Sequence, residues 1–309
     1  MGQGSRRPWR LLRAGVAGAV VLAAAGGCST AGDHASASLP AQRSVLVAAT
    51  ITPSKAAAPA VPDPPAPPAV DPSALPSISP LTVVAGLPAI GDATPRHVDG
   101  AAGGPWQTAT LLRDTVAFDG FRHPRAVGLI PSATLAQAPT VLPVLDVRPN
   151  GWLRVMVATR GALPSQDRDA VNQRTAWISA ADTSPSSTTW SVHVDTTTQT
   201  ITIDDGTGPR VYPVKATGST STPTPTGMSF VVGTFWDEPG TFTPRVIMLS
   251  SQSEAIDHWD RPTGTAVTAI HTSLLRGVGA VSNGCVRVSD EVLDQLWHRV
   301  PAGTVVTVT

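Results

Sequence analysis

Cysteine is nearly absent from these 309 residues, occurring only as Cys28 and Cys285. With Cys28 at the end of an export leader, the exported chain keeps one thiol, and an unpaired exported cysteine is a candidate reactive group. One thiol and scattered histidines offer no zinc-ligand spacing, so the reading assigns no metal and no cofactor. Charge is sparse and balanced: 22 basic and 22 acidic side chains cancel, and charged residues make up 14% of the chain. Without a basic field there is nothing to hold nucleic acid, which is set aside as a partner. Long apolar runs are missing as well. Hydrophobic residues reach 41% but are interleaved with Thr, Ser, Gly and Pro, a texture that suits short strands.

What is present begins with Arg6, Arg7, Arg10 and Arg13, then an uncharged stretch from Ala14 to Gly27 that ends in Ala25-Gly26-Gly27-Cys28. This is the layout of a signal peptide, and the stretch is shorter than the roughly 20 residues that a spanning helix needs. Small residues ahead of the first cysteine resemble a lipobox. Residues 1–28 are then a lipoprotein signal peptide, with Cys28 lipidated and serving as the membrane anchor. The other outcome is ordinary secretion with Cys28 discarded or free. Either way the expected location is outside the cytoplasmic membrane, at its outer face or in the cell wall. Residues 29–104 show no sustained period of two or of 3.6, and 11 of the 30 prolines fall between Pro53 and Pro88. That stretch reads as a disordered Pro/Ala-rich linker, held extended by proline's fixed φ.

From residue 105 to 186 short apolar runs are broken by turn residues. Thr140 to Leu145 and Trp152 to Val157 read as strands, and Asn150-Gly151 between them is a strong hairpin signal. From 187 to 309 the alternation sharpens, with Trp190, Val192 and Val194 on one face and Ile201 and Ile203 after a turn. Further strands are expected at Phe230 to Val232, Val246 to Leu249, Ala266 to His271 and Val305 to Thr309. Ser289 fits a helix N-cap, Asp290 and Glu291 suit the first turn, and Val292, Leu293, Leu296, Trp297 and Val300 mark one helical face.

The chemistry concentrates in Ser282-Asn283-Gly284-Cys285-Val286-Arg287, with His271 fourteen residues before the cysteine. A thiol with pKa near ~8.5 is only a few per cent thiolate at neutral pH, so a nucleophilic Cys285 needs a base, and His271 is the candidate. Gly284 permits a tight turn in which the backbone N–H groups of Gly284 and Cys285 converge on a carbonyl oxygen beside the sulfur. Ser282 is placed to hold that turn, and Asn283 donates but does not titrate. Arg287 either binds a substrate carboxylate or braces the helix start by pairing with Asp290 or Glu291. The carbonyl or hydroxyl of Thr272 is placed to orient the imidazole. His258 reads as a lid or surface residue. Set against all this is a structural cysteine beside an ordinary core histidine.

An Ile-His strand end, a short loop and Ser-x-Gly-Cys-Val-Arg together resemble the signature of the bacterial L,D-transpeptidases, which cross-link peptidoglycan. Thr222-Pro223-Thr224-Pro225-Thr226-Gly227 is similar to the family's Thr-Pro-x-Gly turn, and the resemblance runs from about Trp190 to Thr309. Two positions depart from the family's habit: Asn283 stands where many members have His, and Thr272 where Gly or Ser is frequent. The loop after His271 is also slightly short. Gly151 to Val155 with Thr175 to Ile178 is similar to the SH3-like β-module often found ahead of exported transpeptidase domains. The implied fold is mainly β, an SH3-like module at 105–186 followed by a sandwich-like catalytic domain at 187–309 with one C-terminal helix. The implied reaction has Cys285 attack the carbonyl before the terminal D-alanine of a donor stem peptide, releasing D-alanine and leaving a thioester that a second stem's amine resolves. Peptidoglycan stem peptides are then the partners, Arg287, Ser282, Asn283 and Thr272 contribute to substrate binding, and carbapenem-type β-lactams are expected inhibitors. An L,D-carboxypeptidase, with water as acceptor, uses the same acyl-enzyme. A non-catalytic wall-binding lipoprotein is the reading from another class, and the retained His271, Gly284 and Cys285 argue against it.

Overall fold

Period-two patterning becomes two β-sheets in the computed structural model, which describes residues 62–100, 102–236, 243, 245–259, 266–273 and 277–309. The leader with Cys28 and the first part of the proline-rich stretch lie outside the described residues. Seven strands form the first sheet: β1 (Trp106–Leu111), β2 (Thr115–Phe118), β3 (Ala126–Ile130), β4 (Val141–Arg148), β5 (Trp152–Met156), β6 (Thr175–Ser179) and β7 (Thr183–Thr188). They run in the order β3-β2-β6-β5-β4-β1-β7, every pair antiparallel. The β4–β5 turn is the hairpin that the sequence signals, with Asn150 at φ +62° and Gly151 at φ +82°. Both sit in the left-handed region that Asn and Gly tolerate best.

The second sheet has ten strands: β8 (Ser191–Asp195), β9 (Thr200–Asp204), β10 (Pro209–Pro213), β11 (Ala216–Gly218), β12 (Gly227–Trp236), β13 (Arg245–Gln252), β14 (Val267–His271), β15 (Gly279–Ser282), β16 (Val286–Arg287) and β17 (Val305–Val308). Their order is β10-β9-β8-β17-β12-β13-β14-β16-β11-β15. β12 belongs to both halves, pairing with β17 through Gly227 to Phe230 and with β13 through Val231 to Trp236. The core lies between these halves. Val192, Val194, Ile201 and Ile203 meet Val231, Ile247, Leu249, Ile270 and Val286 there, together with Val292, Leu293 and Leu296 of α1 (Asp290–Leu296). Ser289 caps α1 by accepting the Val292 N–H at 3.3 Å. The helix stops at Leu296, one turn before the apolar face would predict, because Trp297 is already extended at φ −62°, ψ 126°; Val300 stays buried from the turn that follows. Among the described residues no helix is long and apolar enough to cross a membrane.

The expectation of a free linker over 29–104 fails for its second half. All described residues fall in one compact unit, Pro59–Thr309, and residues 62–100 are strapped across the first sheet. The carbonyls of Pro64 and Pro65 accept from Asn150 Nδ2 and Trp152 Nε1, each at 2.6 Å. Backbone bonds join Ile78 to Leu129, Val84 to Arg160 and Ile90 to Gln173, while Ile78, Val84, Leu87 and Ile90 enter the core. Proline deprives a segment of donors but leaves every carbonyl available, so an extended proline-rich chain still docks as an acceptor strap. The same core takes in Phe230 and Val232 of β12, so the two sheets share apolar packing. Leu87, 5% exposed, makes this testable: Leu87→Ala should cost about 2–5 kcal/mol, lowering the melting temperature by about 2–4 °C per kcal/mol. Val83→Ala, at a position 42% exposed, should stay within about 0.5 kcal/mol. Equal melting temperatures for the two variants would mean that the strap does not pack.

Candidate active site

The two sequence motifs meet at one end of the second sheet. β14 and β16 pair in parallel, with Ile270 opposite Val286 and His271 opposite Arg287. This sets Cys285, one residue ahead of β16, beside the end of β14. The turn that delivers the cysteine is clamped by Ser282, whose Oγ accepts the Gly284 N–H at 3.2 Å and donates to the Cys285 carbonyl at 2.6 Å. Gly284 sits at φ +105°, and a Cβ there would stand 3.4 Å from both the Pro223 oxygen and Thr268 Cγ2. The space would admit a Cβ, but the positive φ would strain any other side chain. The Thr-Pro segment braces the turn from outside: Thr222 Oγ1 donates to the Ser282 carbonyl at 3.0 Å, and Thr224 Oγ1 accepts from Gly218 N–H at 2.8 Å. At Gly218 an added Cβ would lie 2.2 Å from Thr224 N, so the approach requires glycine.

His271 is buried, and its Nδ1 lies 2.7 Å from the Thr272 carbonyl oxygen. A carbonyl only accepts, so Nδ1 carries the proton and, in the neutral ring, Nε2 is the lone-pair nitrogen that a base requires. Of the two options for Thr272, the carbonyl orients the ring. His271 and Cys285 line a cavity of about 400 Å³ together with Asn283, Arg287, Ile256 and Trp259. Trp259 forms its rim at 65% exposure, and His258 beside it is exposed. A second cavity of about 280 Å³ lies against the strap and β12 and is lined by apolar and neutral polar residues only. Among the described residues no three His, Cys, Asp or Glu side chains converge where a metal ion would sit.

Cys285 is partly buried as a residue, and burial around its sulfur pushes the thiol pKa up, while a hydrogen bond from the Ala269 backbone and the charge of Arg287 pull it the other way. Burial is the larger influence. The acids at the helix start have other partners: Asp290 pairs with Arg245 at 2.8 Å, Asp294 joins the same guanidinium, and the Glu291 carboxyl is held low by a hydrogen bond from Ser289. Arg287 faces the cavity instead, and its buried Nε has no hydrogen-bond partner. One expectation needs correction. The Gly284 N–H is directed to Ser282 Oγ, which leaves the Cys285 N–H as the open donor of that pair in this arrangement. Sequence reasoning missed Ile256 and Trp259, which lie on a loop without motif character, and the Ala269 N–H, which any residue would supply.

Residues 189–308 match the family model of the L,D-transpeptidase catalytic domain, YkuD. The chain therefore carries that domain in its C-terminal part. None of the curated proteins matches the chain. Solved structures similar to it include an L,D-transpeptidase mutant from Enterococcus faecium, at 22% identity over 39% of this chain and 49% of that one, with a TM-score of 0.29. An L,D-transpeptidase from Stackebrandtia nassauensis aligns at 19% identity over 39% of this chain and 55% of that one, with a TM-score of 0.28. L,D-transpeptidase 3 from Mycobacterium tuberculosis, in complex with a faropenem-derived adduct, aligns at 14% identity over 54% and 97%, with a TM-score of 0.34. The chain thus spans about half the length of the first two.

The electrostatics around Cys285 predict a pH profile. A thiol whose pKa is raised by burial holds less thiolate at neutral pH than free cysteine, so alkylation by iodoacetamide should climb with pH and reach its midpoint above the ordinary thiol value. Arg287→Gln removes the lowering charge, so the midpoint should move up further and the rate at pH 7 should fall. A midpoint below that of free cysteine, or one lowered by Arg287→Gln, would contradict this balance.

Proposed function

We propose that the L,D-transpeptidase catalytic domain at 189–308 is a cysteine acyltransferase that cross-links peptidoglycan stem peptides. The observation that carries the reading is the placement of His271 and Cys285 on one cavity, with His271 Nδ1 tied to the Thr272 carbonyl. In the first half-reaction the Cys285 sulfur bonds to the carbonyl carbon between the third stem residue and its terminal D-alanine. The thiol proton passes to His271 Nε2. The negative charge on the carbonyl oxygen is met by the Cys285 N–H, a dipole held in place before the reaction begins. Collapse breaks the peptide bond, and His271 returns its proton to the departing D-alanine amine. A thioester on Cys285 remains.

In the second half-reaction an amine of another stem peptide attacks the thioester carbonyl, gives up a proton to His271 and expels the Cys285 sulfur, which regains that proton. The new amide is the cross-link. Arg287, unpaired at Nε and facing the cavity, binds a carboxylate of the donor stem. The export leader ending at Cys28 supports a site of action outside the cytoplasmic membrane, where stem peptides are, with lipidation of Cys28 as the tether.

Incubation with a disaccharide tetrapeptide should release D-alanine and yield a cross-linked dimer. Cys285→Ser should abolish both, because a serine hydroxyl is far less acidic than a thiol and a site whose burial already opposes a thiolate will not make an alkoxide. His271→Ala should slow acylation by roughly 100-fold or more, and a carbapenem should add to Cys285. Turnover that survives Cys285→Ser would refute the reading; D-alanine release without a dimer would reassign the acceptor to water.

A further inference from the structure

The first sheet contributes a residue that reaches toward the catalytic cavity without entering it. Arg160 follows β5 and is fully buried, 0% exposed. Its own backbone is fixed by the strap, the N–H donating to the Thr82 carbonyl at 3.2 Å and the carbonyl accepting from Val84 N–H at 2.7 Å. From there the guanidinium crosses to the second sheet. Nη1 donates to the Asp257 carbonyl at 2.6 Å, and Nη2 donates to the carbonyls of Ile256 and Ser253 at 2.7 and 3.1 Å. Three carbonyls gathered on one planar fork fix the turn at 253–257 in a way that a single hydrogen bond does not.

That turn opens the loop between β13 and β14. Ile256 on it, and Trp259 just beyond, line the cavity that holds Cys285 and His271. Neighbouring contacts from the same side reinforce the grip. Asn172 exchanges two hydrogen bonds with the Gln252 backbone, each 2.8 Å, and reaches Glu254 Oε1 at 2.9 Å. Gln252 Nε2 donates to the strap at the Pro80 carbonyl at 2.8 Å, and Ser165 N–H donates to Asp257 Oδ1 at 3.0 Å. A buried arginine is costly to desolvate, and burial indeed draws Arg160 below the ordinary guanidinium range. Such a group persists where something beyond bulk packing uses it.

We infer that Arg160 is a positioning residue for the donor substrate: from the first sheet it holds the 253–257 turn, and with it Ile256 and Trp259, as the wall against which the donor stem peptide lies. This rests on the acyl-transfer reading above. The N-terminal sheet is on this account a working part of the substrate site, acting through the loop rather than on the reacting atoms. Loss of the grip should therefore weaken donor binding and leave the thiol–imidazole pair intact.

The test compares wild type, Arg160→Met, Arg160→Lys and Asp257→Ala in the full chain, well below each variant's melting temperature. Arg160→Met should raise KM for the tetrapeptide donor by about tenfold or more while kcat changes far less, the mark of lost binding shared by ground and transition states. Arg160→Lys should recover part of the loss. Asp257→Ala, which removes the carboxylate that accepts from Ser165 and lies near the Arg160 charge but keeps the backbone carbonyl that Arg160 holds, should raise KM modestly and serves as the readout should Arg160→Met fail to fold. In all variants Cys285 should react with iodoacetamide at close to the wild-type rate, a readout that disruption of the catalytic pair would move. Unchanged KM in folded Arg160→Lys and Asp257→Ala, or alkylation slowed in step with turnover, would overturn the positioning role. A folded wild type that is never acylated by the donor would instead overturn the functional reading, and the role with it.

Discussion

Parallel pairing of β14 with β16 is the constraint on which the rest of the site depends. Ile270 opposite Val286 and His271 opposite Arg287 bring together two groups that are fourteen residues apart in the chain. Everything nearby serves to keep that register. Ser282 closes the turn before β16 with two hydrogen bonds of its own hydroxyl, and Thr222 and Thr224 brace it from the adjoining segment. At Gly218 the backbones approach too closely for a side chain, and at Gly284 the positive φ favours glycine. A one-residue slip would turn the cysteine away from the cavity, because strand side chains alternate between faces.

In the proposed mechanism the thiol and the imidazole start as a neutral pair. Burial of the sulfur outweighs the Ala269 hydrogen bond and the Arg287 charge, which favours the protonated thiol, while the Thr272 carbonyl accepts at 2.7 Å from His271 Nδ1 and so selects that tautomer. In that mechanism proton transfer accompanies attack, and the charge that develops moves to the carbonyl oxygen, toward the Cys285 N–H. A substrate that fills the cavity completes the exclusion of water and strengthens each of these interactions, since electrostatic effects grow as the local dielectric falls.

Much of this was legible in the sequence where chemistry is carried by side-chain identity. Cys285, His271, Ser282, Gly284 and the Thr222–Gly227 turn all announce themselves, and alternation such as Val192, Val194, Ile201 and Ile203 located the strands. Physical reasons separate these from what was missed. The strap at 62–100 has no period because its bonds run to partners far along the chain, such as Pro64 to Asn150, Pro65 to Trp152 and Pro80 to Gln252, and proline-rich chain looks alike whether free or docked. Arg160 was invisible for a similar reason: its partners are backbone carbonyls, which any residue supplies, and nothing in one sequence distinguishes a buried arginine from a solvated one. That the Gly284 N–H donates to Ser282 Oγ was not legible either, since this bond depends on a rotamer that sequence does not encode.

The central claim is that His271 acts as a base from the tautomer protonated on Nδ1, with Nε2 the nitrogen that takes the thiol proton. Long-range proton–nitrogen NMR on the resting protein at neutral pH, with the His271 ring assigned through a His271→Gln variant, reads this directly. The account predicts a neutral imidazole with its proton on Nδ1. A ring protonated on Nε2, or an imidazolium paired with a Cys285 thiolate, would contradict it.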